Sequence, residues 1–164
     1  MRALEWVKGL PPELATFLIA ALPVSELRGA IPVALSVYGL PLWSALLWAI
    51  LGNMAPVPWI LLVLDPVARF LSRWRVGERF FAWLFARTRR RGESYLRLYR
   101  ELGLVLFVAI PLPMTGAWTG AVLAFLFGVP FWRALWLLFT GVTVAALIVT
   151  LATLGVGFFA LLVR

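Results

Sequence analysis

The sequence predicts an all-α integral membrane protein: an inverted repeat in which each unit is a re-entrant helical hairpin plus a transmembrane helix, with basic amphipathic helices joining the two. Three observations lead to this fold class. The chain is too apolar for a water-soluble domain, it repeats itself at a fixed offset, and both copies place Pro and Gly inside apolar stretches. The alternative fold is four full transmembrane helices.

Of 164 residues, 63% are hydrophobic and 13% charged, against roughly 45–50% apolar and 25% charged in ordinary globular domains. Two apolar stretches, Ala15 to Leu64 and Leu102 to Val163, each exceed the ~20 residues that cross a bilayer as helix. A signal peptide over Arg2 to Leu22 fits the pattern of a charged start and an apolar run. The repeat begins inside that run, so the expectation is that it is retained. The chain lacks Cys and His, which removes disulfides, thiol chemistry and the commonest metal ligands and general base.

The repeat is carried by Gly39-Leu40-Pro41-Leu42-Trp43-Ser44-Ala45-Leu46 and Gly128-Val129-Pro130-Phe131-Trp132-Arg133-Ala134-Leu135, offset by 89 residues. The same offset pairs Ala20 with Ala109 and Gly52 with Gly141. The chain therefore reads as one membrane domain, 1–164, with repeat 1 at about 15–64, a basic segment at 66–101 and repeat 2 at about 102–163.

Each copy contains an interruption, Pro23 to Pro32 and Pro111 to Gly120. Pro23, Gly29, Pro32, Pro111, Pro113, Gly116 and Gly120 make neither stretch suited to unbroken helix. A charged residue at the centre of a spanning helix costs roughly 2.5–3.5 kcal/mol on insertion scales. A hairpin that enters and leaves by one face, with its exposed backbone lining a polar cavity, avoids that cost. The following helices, about Pro41 to Leu64 and Pro130 to Leu151, would cross fully. One hairpin and one crossing per unit make the copies inverted, as in many secondary transporters.

The segment Pro66 to Glu101 holds ten of the fifteen basic residues, all Arg, with Phe70, Trp74, Phe81 and Leu84 or Phe85 at near-helical spacing. It reads as one or two amphipathic helices on the cytoplasmic leaflet, meeting anionic headgroups of membrane lipids. Nucleic acid is not an expected partner of the net charge of +8. Topology and anchoring alone would also explain the segment.

Glu26 and Arg28 are the charges deepest in the apolar stretches, and such residues are functional candidates by default. A desolvated Glu26 carboxyl suits proton coupling. The planar Arg28 guanidinium suits an anionic substrate group. Two residues apart, they would face each other only on extended or turned backbone, and a structural pair holding the tip together is the competing explanation. The offset maps Glu26 to Thr115 and Arg28 to Ala117, so the second tip offers Thr115, Trp118 and Thr119 as hydroxyl and aromatic substrate contacts, or small-residue packing. Asn53, beside Gly52 and before Pro56 and Pro58, caps a kink or meets substrate. Asp65 and Arg133 lie near helix ends, where snorkelling or capping accounts for them. No phosphate loop, nucleophile elbow or interior carboxylate pair occurs; no enzyme reaction, catalytic residue, cofactor or metal is expected.

Glu26-Leu27-Arg28-Gly29-Ala30-Ile31-Pro32, Gly52-Asn53 with Pro56 and Pro58, and Ala109-Ile110-Pro111-Leu112-Pro113 with Thr115-Gly116-Ala117-Trp118-Thr119-Gly120 together resemble the small multidrug export protein family. That family in turn resembles the DedA superfamily. The resemblance implies paired re-entrant hairpins and ion-driven movement of a lipid or amphiphile, such as a polyprenyl phosphate, with Glu26 and Arg28 at the first tip. The second tip lacks the Arg usual in DedA proteins. The expectation is a proton-coupled homodimeric transporter in a bacterial or archaeal inner membrane; the alternatives are an exporter of cationic amphiphiles and a structural or assembly protein.

Overall fold

A computed structural model describes residues 9–71, 94–112 and 115–162. Among these residues the structure is entirely helical, with seven helices: α1 (Pro12–Ala21), α2 (Glu26–Ser36), α3 (Leu42–Met54), α4 (Pro56–Leu71), α5 (Ser94–Ala109), α6 (Ala117–Leu126) and α7 (Phe131–Leu162). Pro113 and the centre of the basic segment, 72–93, lie outside the described residues; so do Trp74, Phe81, Leu84 and Phe85.

Proline sets most helix limits. Pro12 opens α1, where its missing N–H costs nothing, and Glu13 follows in the first turn. Leu22, just before Pro23, is extended at φ −75° and ψ 136°, the conformation that a following proline ring favours over helix. α2 ends in a turn at Gly39, whose φ is +63°, and α6 ends likewise at Gly128, φ +67°. This left-handed conformation is the usual glycine C-terminal cap. α3 and α7 then start one residue after Pro41 and Pro130, with Ala45 N–H donating to Pro41 O at 3.0 Å and Ala134 N–H to Pro130 O at 2.8 Å.

Two departures from the sequence reading follow from local chemistry. The stretch Glu26 to Pro32 was expected to be non-helical, yet it forms most of α2, and Ala117 to Gly120 opens α6. The true breaks are shorter, 22–25 and 110–116. Pro32 sits inside α2; the bond it cannot give falls on the Arg28 carbonyl, in the first turn, where the ladder is only beginning. The basic segment is also partly continuous with its neighbours. α4 runs through Pro66 to Leu71, and α5 begins at Ser94, since Leu, Arg, Tyr and Glu across 95–102 offer nothing to end a helix.

Two helical stretches are long and apolar enough to cross a membrane: Leu42–Ala68, 27 residues, which joins α3 to α4 through Ala55, and Phe131–Val156, 26 residues. At 1.5 Å per residue each is roughly 40 Å long, ample for a ~30 Å hydrocarbon core. The surface is apolar to match. Trp43, Trp59, Trp132 and Trp136 are each at least 70% exposed, an arrangement lipid accepts and water does not. The protein is a helical membrane protein.

The chain divides into two compact units, 1–55 with 142–164, and 56–141. In the first, α1, α2 and α3 pack on one another through Ala15, Ile19, Ala20, Leu27, Ala30, Ile31, Ala34, Ala45 and Ala49, all buried. Small residues allow the backbones to approach closely where lipid supplies little hydrophobic drive. Gly52 is the extreme case, because a Cβ there would overlap the Phe17 carbonyl. In the second unit α6 packs on α4 and α5, and added Cβ atoms at Gly120 and Gly141 would meet Val108 at 2.6 and 2.9 Å.

Gly52→Ala is expected to lower stability in detergent by about 3 kcal/mol, at the top of the range for forced overpacking. Gly155, whose Cβ would meet nothing within 4 Å, is the control: Gly155→Ala should leave stability, read from the melting temperature, unchanged or raise it by up to about 1 kcal/mol. Equal melting temperatures for the two variants would contradict the packing described.

Candidate functional site

The first break closes on itself. Leu22 N–H donates to Ile19 O at 3.4 Å, Ser25 Oγ donates to the same carbonyl at 2.6 Å, and Glu26 N–H donates to Leu22 O at 3.0 Å. Ser25 thus uses its hydroxyl to satisfy the end of α1 and makes no side-chain cap on α2. Gly29 packs over it, since a Cβ at 29 would stand 2.9 Å from Ser25 Cβ. Pro23 enforces the break; Gly29 and Pro32 lie in α2.

Glu26 follows immediately, with φ +45°, the single non-glycine residue of positive φ among those described. It is 8% exposed. Left-handed backbone costs a non-glycine residue of order 1–3 kcal/mol and persists only where the surroundings enforce it; such strain gathers at functional sites. A buried carboxyl is costly too. Arg28, half-buried, stands close enough to act electrostatically on Glu26, although both lie in a helical turn and not on the extended backbone that the sequence suggested.

The same unit buries two further oxygens. Asn53 is 2% exposed and Thr150 5% exposed, and neither Asn53 Oδ1 nor Thr150 Oγ1 has a hydrogen-bond partner among the described residues. Unsatisfied buried acceptors are uncommon and costly. The sequence singled out Asn53 but not Thr150 or Ser25. In α7, Thr140 and Thr153 each donate to the carbonyl four residues back, at 2.9 and 2.8 Å; Thr150 does not, and nothing in its sequence context marks the difference.

The second break is longer and neutral. Thr115 Oγ1 lies 2.6 Å from Ile110 O and 2.8 Å from Leu112 O, and accepts from Leu112 N–H at 3.0 Å. Its hydroxyl therefore knots the loop that follows Pro111. Gly116, extended at φ −108°, precedes α6, and Thr119 Oγ1 donates to Gly116 O at 3.2 Å. Trp118 sits half-buried in the first turn of α6, and Gly120 lies one residue further along than Thr119, inside the helix. Arg133, for which snorkelling or capping near a helix end was expected, pairs with Glu101 at 3.3 Å.

Because Thr115 holds three backbone contacts, Thr115→Val should destabilise the protein by about 2 kcal/mol, and Thr115→Ser by less than about 0.5 kcal/mol. Thermal unfolding of the two variants distinguishes this structural hydroxyl from a substrate contact, for which both would retain wild-type stability.

Comparison with known proteins adds one result. Residues 26–148, about three quarters of the chain, match the family described as putative small multi-drug export protein. No curated protein and no solved structure matches the chain. With a buried, strained carboxyl at a helix break and two apolar spanning helices, the chain belongs to the small multi-drug export protein family.

Proposed function

We propose that the protein is a proton-coupled exporter of amphiphilic molecules, with Glu26 as the coupling carboxyl. The observation that carries this reading is Glu26 itself, buried and held at φ +45° beside a helix break. A carboxyl with no other task would be replaced there by an apolar residue without loss. Substrate and proton compete for such a group in an exchanger. The family description, together with the two buried oxygens without partners, Asn53 Oδ1 and Thr150 Oγ1, favours a cationic or hydrogen-bonding amphiphile.

The second reading keeps Arg28 as ligand for an anionic lipid such as a polyprenyl phosphate, in the manner of DedA proteins, with Asn53 of the same unit as a polar contact. Arg28 favours it, being a charged group at the break that carries Glu26.

The architecture proposed for either substrate is a pair of re-entrant hairpins of opposite orientation in a bacterial or archaeal inner membrane, with segment 66–101 cytoplasmic. Helix lengths support it. α1, α2 and α6 have 10, 11 and 10 residues, about 15–17 Å at 1.5 Å per residue, half of what a crossing requires. A homodimer would supply protein to surround the polar tips.

In proteoliposomes with an imposed pH gradient, Glu26→Gln should abolish gradient-driven flux while retaining substrate binding. Arg28→Ala should weaken binding of a polyprenyl phosphate about tenfold under the anionic reading, and leave a cationic dye unaffected under the cationic one. Undiminished gradient-driven flux in Glu26→Gln would refute the coupling role.

Topology is separately testable, because the chain has no Cys of its own. Cysteines introduced at both termini should react with an impermeant maleimide from outside the cell if the hairpins are re-entrant; reaction from the cytoplasmic side alone would establish four full spans.

A further inference from the structure

A groove of about 370 Å³ lies along α5 and α6, lined by Tyr99, Arg100, Gly103, Leu104, Phe107, Leu123 and Phe127. That volume falls within the range of small-molecule sites. The spacing 100, 103, 104 and 107 sets these residues on one stripe of α5, with the polar residues at one end and roughly 10 Å of apolar wall beyond them. The groove thus has the shape and polarity of an amphiphile.

Two details point to an anionic occupant. The Arg100 side chain has no hydrogen bond or ion pair among the described residues, and its acidic neighbour Glu101 is engaged by Arg133 at 3.3 Å. Arg100 is also the charged residue of the groove's lining, so its polar end is cationic. Gly103 supplies the third detail. Gly120 and Gly141 in the same unit are needed for close packing, but a Cβ at 103 would meet nothing within 4 Å. Helix packing therefore gives no reason for the missing side chain at 103, while the open groove does.

We infer that this groove binds one anionic membrane phospholipid, its acyl chain along Leu104, Phe107, Leu123 and Phe127, its headgroup phosphate held by Arg100 with the Tyr99 hydroxyl beside it. The groove belongs to the unit 56–141 and Glu26 to the other unit, and the inference rests on residence in the bilayer, not on transport. A charged lipid at this position would fix the second hairpin against the bilayer by an interaction that neutral lipid cannot supply.

The test uses the purified full-length chain in a neutral detergent, titrated with phosphatidylglycerol, phosphatidylcholine, inorganic phosphate or dodecyltrimethylammonium, with bound lipid counted by native mass spectrometry. Phosphatidylglycerol should bind at least tenfold more tightly than phosphatidylcholine. Arg100→Gln should remove at least that preference, and Gly103→Leu, which fills the groove from a position with room for it, should remove binding of both lipids there. Glu26→Gln should bind phosphatidylglycerol as the wild type does, so loss of coupling and loss of the lipid site are separately visible. Equal affinity for the two phospholipids, phosphate binding as tight as lipid, preferential retention of the cationic detergent, or an unchanged preference in Arg100→Gln would each overturn the assignment; Arg100→Gln decides it even if Gly103→Leu fails to fold.

Discussion

The constraint on which the rest of this structure depends is that a helix interrupted in an apolar chain must satisfy its own backbone. Each buried polar group left unpaired costs free energy comparable to a lost hydrogen bond or more. Both breaks meet the constraint with one hydroxyl. Ser25 Oγ reaches back 2.6 Å to the Ile19 carbonyl, and Thr115 Oγ1 reaches back 2.6 Å to that of Ile110. The proline that forces each break, Pro23 or Pro111, thus lies within a few residues of the side chain that makes the break tolerable. Neither hydroxyl is then well placed to serve as a substrate donor, and the chemistry passes to residues beside the breaks.

Once a break is closed, the arms of the helix pair must be held together without a strong hydrophobic drive, and the small residues do this. Ala15, Ala20, Ala30, Ala34, Ala45 and Ala49 are fully buried in one unit, and Ala117, Ala121, Ala124 and Ala134 in the other. Burial of Ala brings backbones into van der Waals contact, and Gly52, Gly120 and Gly141 carry this to the limit. Bulk is consigned to the surface, where four exposed Trp residues and many Leu residues face the lipid. The distribution reverses that of a water-soluble protein, which is why composition alone disclosed the membrane.

Sequence reasoning reached some features and not others for identifiable reasons. Pro23 and Pro111 disclosed both breaks, because a proline disfavours helix at the residue preceding it. Gly39 and Gly128 disclosed the turns, since a repeated Gly-x-Pro leaves the backbone few choices. Pro32 misled, because a proline in the second turn of a short helix deletes one bond without ending it. The basic segment's limits were blurred because its outer residues are good helix formers that prolong α4 and α5. Glu26 was legible as a charge in an apolar stretch, but its positive φ was not, since left-handed backbone at a non-glycine residue has no local sequence signal. Thr150 was one threonine among several in α7, and only its burial without a partner separates it.

The asymmetry between the two breaks bears on how the protein is organised. The copies agree where geometry is at stake: φ +63° and +67° at the two turns, equivalent proline-to-alanine bonds opening α3 and α7, buried Ala15 and Leu104, Ile19 and Val108, Ala20 and Ala109 at the repeat offset. They differ where charge is at stake, Glu26 and Arg28 against Thr115 and Ala117. A requirement of folding would bear on both copies equally, because both breaks face the same backbone constraint. The second copy closes its break without a charged residue, so the first does not need Glu26 or Arg28 to close its own. Burying Glu26 in strained backbone is thus a cost that the second copy does not bear, and that difference supports the proposed exchange of a proton for a substrate.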